Sequence, residues 1–304
     1  MANHPLRRTF AKLFPWLDMG PRDTIQPGPA YEDPIRDPEA VLLSLNAPPI
    51  RVEVGSELIT LVDPSVGGRL MDGIVVLRVA IAEDLGWVLP GVQFRDNQQM
   101  TPLGYRLFIW GQAVAEGIVM PGMMGVDPAA LTPEQAKGAR VGERPATGQL
   151  VAWIPQTLEQ AAQQGVAADE MLLEHLDVVL RKNLYRLVTP DSLSFALDRR
   201  LRLYGRELVD ELLSRFITRG ELMLCLRELL KANRSIRDLP QIIEALFAFC
   251  HDRCTRSGPS DAMLGMALQV PQFTPYDLAQ AVCRQMGWPP LDERPPLSER
   301  WVRP

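Results

Sequence analysis

The hydrophobic positions along the chain change period near residue 168. Before it they mix alternation with one helical stretch. Ile50 to Val54 alternates with polar residues, and Leu58 to Val62 follows after Gly55, so 50–62 reads as two strands or one strand bent at the glycine. Leu70, Ile74, Leu77, Ile81 and Leu85 recur at helical spacing and predict an amphipathic helix over 69–85, stopped by Gly86. Val92 to Phe94 then reads as a strand running into the polar turn Arg95-Asp96-Asn97. Tyr105 to Trp110 and Ala113 to Met120 are expected to pair as a hairpin about Gly111-Gln112, before Pro121-Gly122 breaks the chain. Together these predict a mixed sheet with the helix on one face.

Asp127 to Gly148 is rich in Pro, Ala, Gly and charge and reads as a surface loop, with a helical turn near Thr132 to Gln135. Val151 to Ile154 predicts a short buried strand, and a helix is expected near 157–164. From Asp169, placed as a helix cap, the period is 3.6 and stays there. Leu172, Leu176, Leu180 and Leu184 mark one helix, and Thr189-Pro190 starts another that runs toward Gly205. Further helices are expected over 206–216 and 219–232, and a long one from the Ser235 to Pro240 segment through Cys250. Thr274 caps a last short helix that runs to Met286, with Pro275 at its first position.

The expected class is α+β. A proline-rich arm over 1–49 precedes a mixed α/β domain over 50–167. An all-helical domain over 168–256 follows, then short helices and an irregular tail over 257–304. The prolines of the arm disfavour long regular elements, and Phe10, Phe14, Trp16 and Leu17 form an apolar cluster within it.

Composition narrows the function classes. A net charge of −5 gives no bulk electrostatic case for nucleic acid or an anionic membrane. The four cysteines lack the spacing of a disulfide framework and suit a reducing compartment. No run approaches the roughly 18–20 apolar residues of a membrane-spanning helix. The first residues lack the apolar core of a signal peptide. A cytoplasmic location follows as the expectation.

Candidate chemistry is sparse. Cys250 and Cys254 sit at i and i+4 on one helix face, but no second ligand pair completes a zinc site. They read as small apolar residues near a helix end, and no metal or cofactor is expected. His175, flanked by Glu174 and Asp177, reads as a solvated or interface histidine. Arg199, Arg200, Arg202 and Arg206 form a basic cluster that Glu207, Asp210 and Glu211 neutralise locally. No nucleophile, phosphate-binding loop or catalytic residue set is evident, so no enzyme is expected.

The order of the short motifs carries more than any one of them. Ile50 to Gly55, Leu58 to Asp63, Gly68-Arg69-Leu70, Arg95-Asp96-Asn97, Gly104-Tyr105-Arg106 and Met120-Pro121-Gly122 follow one another. Ala146-Thr147-Gly148, Val151 to Ile154, and Ser235 to Leu239 with Ile242 to Leu246 come after. This succession resembles the cytoplasmic region of the FHIPEP family, the export-gate proteins of flagellar assembly and type III secretion. It runs from about residue 50 to 265, without the family's membrane domain and without most of its fourth subdomain. The resemblance implies a small subdomain inserted in the first sheet. It also implies a bacterial, non-enzymatic docking platform for secretion substrates or their chaperones, peripheral to an inner-membrane apparatus and in contact with its other proteins. Family members form rings in which the linker touches its neighbour, so Phe10, Phe14, Trp16 and Leu17 are candidate subunit contacts for a weak homo-oligomer. Flagellar members bind chaperones beside the segment matching Arg144 to Gly148. The flagellar pattern has an acid at Arg144, an aromatic at Thr147 and a threonine near Glu174. All three positions differ here, and they are the candidate partner-binding residues. The alternatives are a winged-helix-like nucleic-acid-binding regulator, a divergent regulatory paralogue of the export gate, and a hydrolase.

Overall fold

The computed structural model describes residues 48–157, 165–201, 205–256 and 273–291. The arm with its Phe10–Leu17 cluster, the helix expected near 157–164, Arg202 and the ends of the tail lie outside the described residues.

Strand β1, Ile50–Val54, is the axis of the first sheet, with Ile50, Val52 and Val54 buried and Arg51 and Glu53 on the other face. The chain then leaves the sheet. Gly55 lies so close to a neighbouring loop that an added Cβ would sit 2.2 Å from the Thr101 carbonyl oxygen. The strand expected over 58–62 is instead a 3-10 turn at Ser56–Leu58 and a short helix α1, Ile59–Val62. Leu58, Leu61 and Val62 stand at i, i+3 and i+4, the spacing of one helix face, and β1 has already ended at the glycine.

Helix α2, Leu70–Leu85, buries the five periodic residues and ends on Gly86 at φ 77°. It crosses over to β2, Val92–Asp96, which pairs parallel to β1. Strands β3, Gly104–Ile109, and β4, Gln112–Ile118, form the hairpin, giving the strand order β2-β1-β3-β4. The turn sits one residue earlier than the sequence suggested. Ile109 pairs with Gln112, and Trp110 (φ 51°) and Gly111 (φ 76°) both take the left-handed conformation that a two-residue hairpin needs. The tryptophan is held there by its indole Nε1–H, which donates to the Arg186 carbonyl at 2.9 Å, and by its backbone N–H on Pro49.

A second, antiparallel sheet has the order β6-β7-β5-β8. Its strands are β5 (Met123–Val126), β6 (Arg140–Glu143), β7 (Leu150–Pro155) and β8 (Val166–Ala167). Strand β7 and the helical turn α3, Pro133–Ala136, lie where the sequence predicts them, whereas β6 occupies part of the segment expected as a surface loop. With one β-branched residue in four, β6 has little strand signal of its own and is held by pairing to β7.

Helix α4, Ala168–Asn183, begins one residue before Asp169. The pairing of β8 with β5 leaves Ala167 extended at the cap position, so Asp169 falls in the first turn and pairs with Arg69 at 3.2 Å. Helices α5 (Pro190–Arg200), α6 (Arg206–Arg215), α7 (Arg219–Lys231), α8 (Leu239–Arg256) and α9 (Pro275–Gln285) follow. Thr189, Thr218 and Thr274 cap α5, α7 and α9 through capping boxes. The inner face of the first sheet, α2, α4 and the later helices share one continuous core, joined by Val151 and Trp153 of the second sheet.

Candidate partner-binding surface

Strands β6 and β7 are joined by a tight turn built on Arg144. Its N–H donates to the Gln149 carbonyl at 2.7 Å, and its own carbonyl accepts from Thr147 and Gly148 at 3.1 and 2.8 Å. Gly148 is at φ 70°, and the exposed Thr147 Oγ1 accepts from the Gln149 N–H at 3.4 Å. This geometry fixes the Arg144 backbone and sends its side chain to α4. There Nη2 and Nε donate to one oxygen of Glu174, at 2.7 and 2.8 Å. Two of the three candidate partner-binding residues therefore touch, and the third lies in the turn that positions them. The arginine and glutamate side chains remain 31% and 36% exposed, so the pair is reachable from solvent.

One residue along α4, His175 is only 8% exposed, against the expectation of a solvated or interface side chain. Its Nδ1 lies 2.7 Å from the Tyr105 hydroxyl, with the two rings edge to face. Burial pushes the imidazole pKa down, against a smaller upward pull from Glu174, and burial pushes the Tyr105 hydroxyl up. The protonated hydroxyl thus sits beside a ring that burial holds toward its neutral form. A histidine flanked by carboxylates gives no hint of this, because its partner is 70 residues away in β3.

The motif residues are structural in their contacts. Asn97 donates from Nδ2 to Glu53 at 2.9 Å, from its N–H to the Val54 carbonyl, and accepts from Gln99. Arg95, Glu53, Arg106 and Glu116 stand opposite one another in register across the open face of the first sheet. Asp96 ends β2 in an exposed position. Pro121 and Gly122 (φ 75°) form the turn closed by the Met123 N–H on Met120.

The remaining candidates are spent elsewhere. Arg200 donates to the Gly86 and Arg237 carbonyls, and Arg206 pairs with Asp210. Arg199 lies over the Phe195 ring. Cys225, Cys250 and Cys283 are buried free thiols, and burial raises Cys250 to about 12. His251 stacks on Phe247. Among the described residues no helix is long and apolar enough to cross a membrane.

Comparison with known proteins places this geometry. The chain is 31% identical over 231 residues to the flagellar biosynthesis protein FlhA of Bacillus subtilis, covering 74% of this chain and 33% of that protein. It is 32% identical over 239 residues to FlhA of Caulobacter vibrioides, covering 76% and 32%. The chain thus spans about a third of the length of these curated relatives. The fold matches the Chlamydia pneumoniae CdsV protein with a TM-score of 0.59 at 18% identity, over 78% of this chain and 64% of that one. It also matches nonameric EPEC SctV-C with a TM-score of 0.53 at 17% identity, over 79% and 66%. The FHIPEP family model matches residues 22–257, more than half of the sequence, and the chain belongs to the FHIPEP family.

Proposed function

We propose that this chain is a non-enzymatic docking platform of a flagellar or type III protein-export apparatus. Secretion substrates or their chaperones bind on the turn 144–148 and the adjoining face of α4. The observation that carries this reading is the Arg144–Glu174 pair. Two positions assigned to partner recognition meet across two elements, partly exposed, and outside the main core. Their chemistry differs from the flagellar pattern, so the partner differs too. An arginine held by a glutamate selects a partner that supplies an acid to the one or a base to the other.

The basic cluster does not support a nucleic-acid reading, because Arg200 is used to tie α5 to the carbonyls of Gly86 and Arg237. For the assembly, solved relatives include a nonamer and a CdsV–CdsO complex. By analogy we propose weak self-association of this chain and contact with other apparatus proteins, at a cytoplasmic site peripheral to the inner membrane.

The test is calorimetric titration of the full chain with chaperone–substrate complexes of the same export apparatus. Arg144→Ala, Thr147→Ala and Glu174→Ala should each weaken binding, the two charged positions by about tenfold, with circular dichroism unchanged. Binding that is indifferent to all three moves the docking site elsewhere.

A further inference from the structure

The second sheet ends on a strand whose outer edge is bare. Hydrogen bonding alternates along an antiparallel pair. Since Arg144 bonds to Gln149, the next bonded pairs back along β6 are Gly142 with Val151 and Arg140 with Trp153. The N–H and carbonyl groups of Val141 and Glu143 therefore point away from β7. Strand β6 is the last in the sheet order, and among the described residues no backbone group pairs with that side.

Two of the other three edges are irregular or very short. Strand β4 carries a bulge opposite Leu107 and Phe108 and β8 has two residues, while β2, with Arg95 and Asp96, carries exposed charges as β6 does with Arg140 and Glu143. Strand β6 has regular pairing, no proline and no lysine. It is also flanked by exposed apolar surface. Val141 is 66% exposed and Leu150 is 64% exposed. Val141 pairs with Ala152 and Glu143 with Leu150, so both apolar side chains stand on the face that carries the small cluster of Val126, Ala152 and Ile154.

We propose that the β6 edge is a strand-addition site that takes an extended segment of a partner polypeptide in antiparallel orientation. The segment's backbone bonds to Val141 and Glu143, and its side chains follow the pattern basic–x–apolar. The basic residue lies opposite Glu143 and the apolar residue opposite Val141. A second copy of this chain is a poorer occupant. Pairing one four-residue edge with another falls far short of the roughly 1,200 Å² that a stable dimer buries. This site does not depend on the role given to the Arg144–Glu174 pair.

The test uses the full chain and the fluorescein-labelled heptapeptide Thr-Lys-Thr-Val-Thr-Val-Thr, read by fluorescence anisotropy. Hydrogen exchange should slow at the amides of Val141 and Glu143 when peptide is bound. Methylating the backbone nitrogens of the lysine and the first valine should weaken binding by about tenfold or more, since those groups face β6. Val141→Lys should do the same. Glu143→Lys should reverse the preference between this peptide and one with glutamate in place of the lysine. Exchanging the charges by Arg144→Glu with Glu174→Arg should leave peptide binding as it was, which separates this site from the docking surface. Equal binding of the methylated peptide, no binding of either, or protection of the two amides by concentration-dependent dimerisation without peptide would each overturn the proposal.

Discussion

The two sheets of this molecule treat their outer faces differently. The first buries one face in the main core and turns the other to solvent as ordered charge. Arg106 bonds to Glu116 at 3.0 Å, Arg51 to Glu53 at 3.2 Å, and the Arg51 guanidinium lies 4.4 Å from the Phe108 ring centre. The second sheet buries its inner face too, with Trp153 and Val151 in the main core and Met171 of α4 against Gly125. Its outer face, however, buries the small cluster of Val126, Ala152 and Ile154, and leaves Val141 and Leu150 in water. A face finished with paired charges needs no partner. A face with a small buried cluster and exposed apolar neighbours sits at the low-stability end of the fold, where binding surfaces are drawn from.

The largest expected effect tests that contrast directly. Leu77 lies in the main core, and Leu77→Asp buries a carboxylate with no partner, at a cost of roughly several kcal/mol. The same change at the 64% exposed Leu150 should cost about 0.5 kcal/mol or less. Urea denaturation measures both. A Leu77→Asp protein that melts like wild type removes the packing described for α2.

A smaller effect grades the two cores. Leu172→Ala in the continuous core should cost near the top of a range of about 2–5 kcal/mol, and Ile154→Ala near the bottom, because the smaller cluster can relax toward solvent. Native-state hydrogen exchange should show the amides of β6 opening before those of β1. Simultaneous opening would mean that the second sheet has no lower stability of its own.

Most of this architecture is legible in the sequence wherever one residue type has one reading. The five apolar positions of α2 allow only a helix, and the Thr-Pro pairs at 189–190 and 274–275 start helices where they stand. The reading fails where local signal is shared or absent. Leu58 to Val62 is a short apolar run of a kind that strands and helices share, and it becomes helical after β1 has ended at Val54. Strand β6 and the burial of His175 are consequences of pairing with distant residues, which a single sequence does not display. Of the proposed docking surface, the resemblance supplies the three candidate positions, but the contact between Arg144 and Glu174 depends on how the turn and α4 are juxtaposed.

The buried histidine gives the comparison a pH axis. Its pKa is depressed in the folded state, so between neutral pH and the acid range the unfolded chain takes up a proton that the folded chain resists. Stability should be fully present above the ordinary imidazole pKa and should fall as pH drops below it. His175→Gln keeps a hydrogen-bond acceptor for Tyr105 and removes the titration. The difference in melting temperature between wild type and variant should therefore change between pH 7 and pH 5. A constant difference would show that the histidine is neutral to folding.

The smallest effect on stability is expected where the functional argument is strongest. The Arg144–Glu174 contact joins the second sheet to α4, but its side chains are about a third exposed. Solvent screens such a pair, and ordering two long side chains offsets part of the attraction. A double-mutant cycle with Arg144→Ala and Glu174→Ala should give a coupling of about 0.2–1 kcal/mol, shrinking in high salt. A coupling of several kcal/mol would make the pair a structural clasp, like the Tyr105–His175 contact in the core, and would weaken its assignment to recognition. A weak coupling, together with a large loss of partner binding in the same variants, separates the two roles. In that outcome the first sheet and the helices hold the fold, while the turn on the second sheet is spent on a partner.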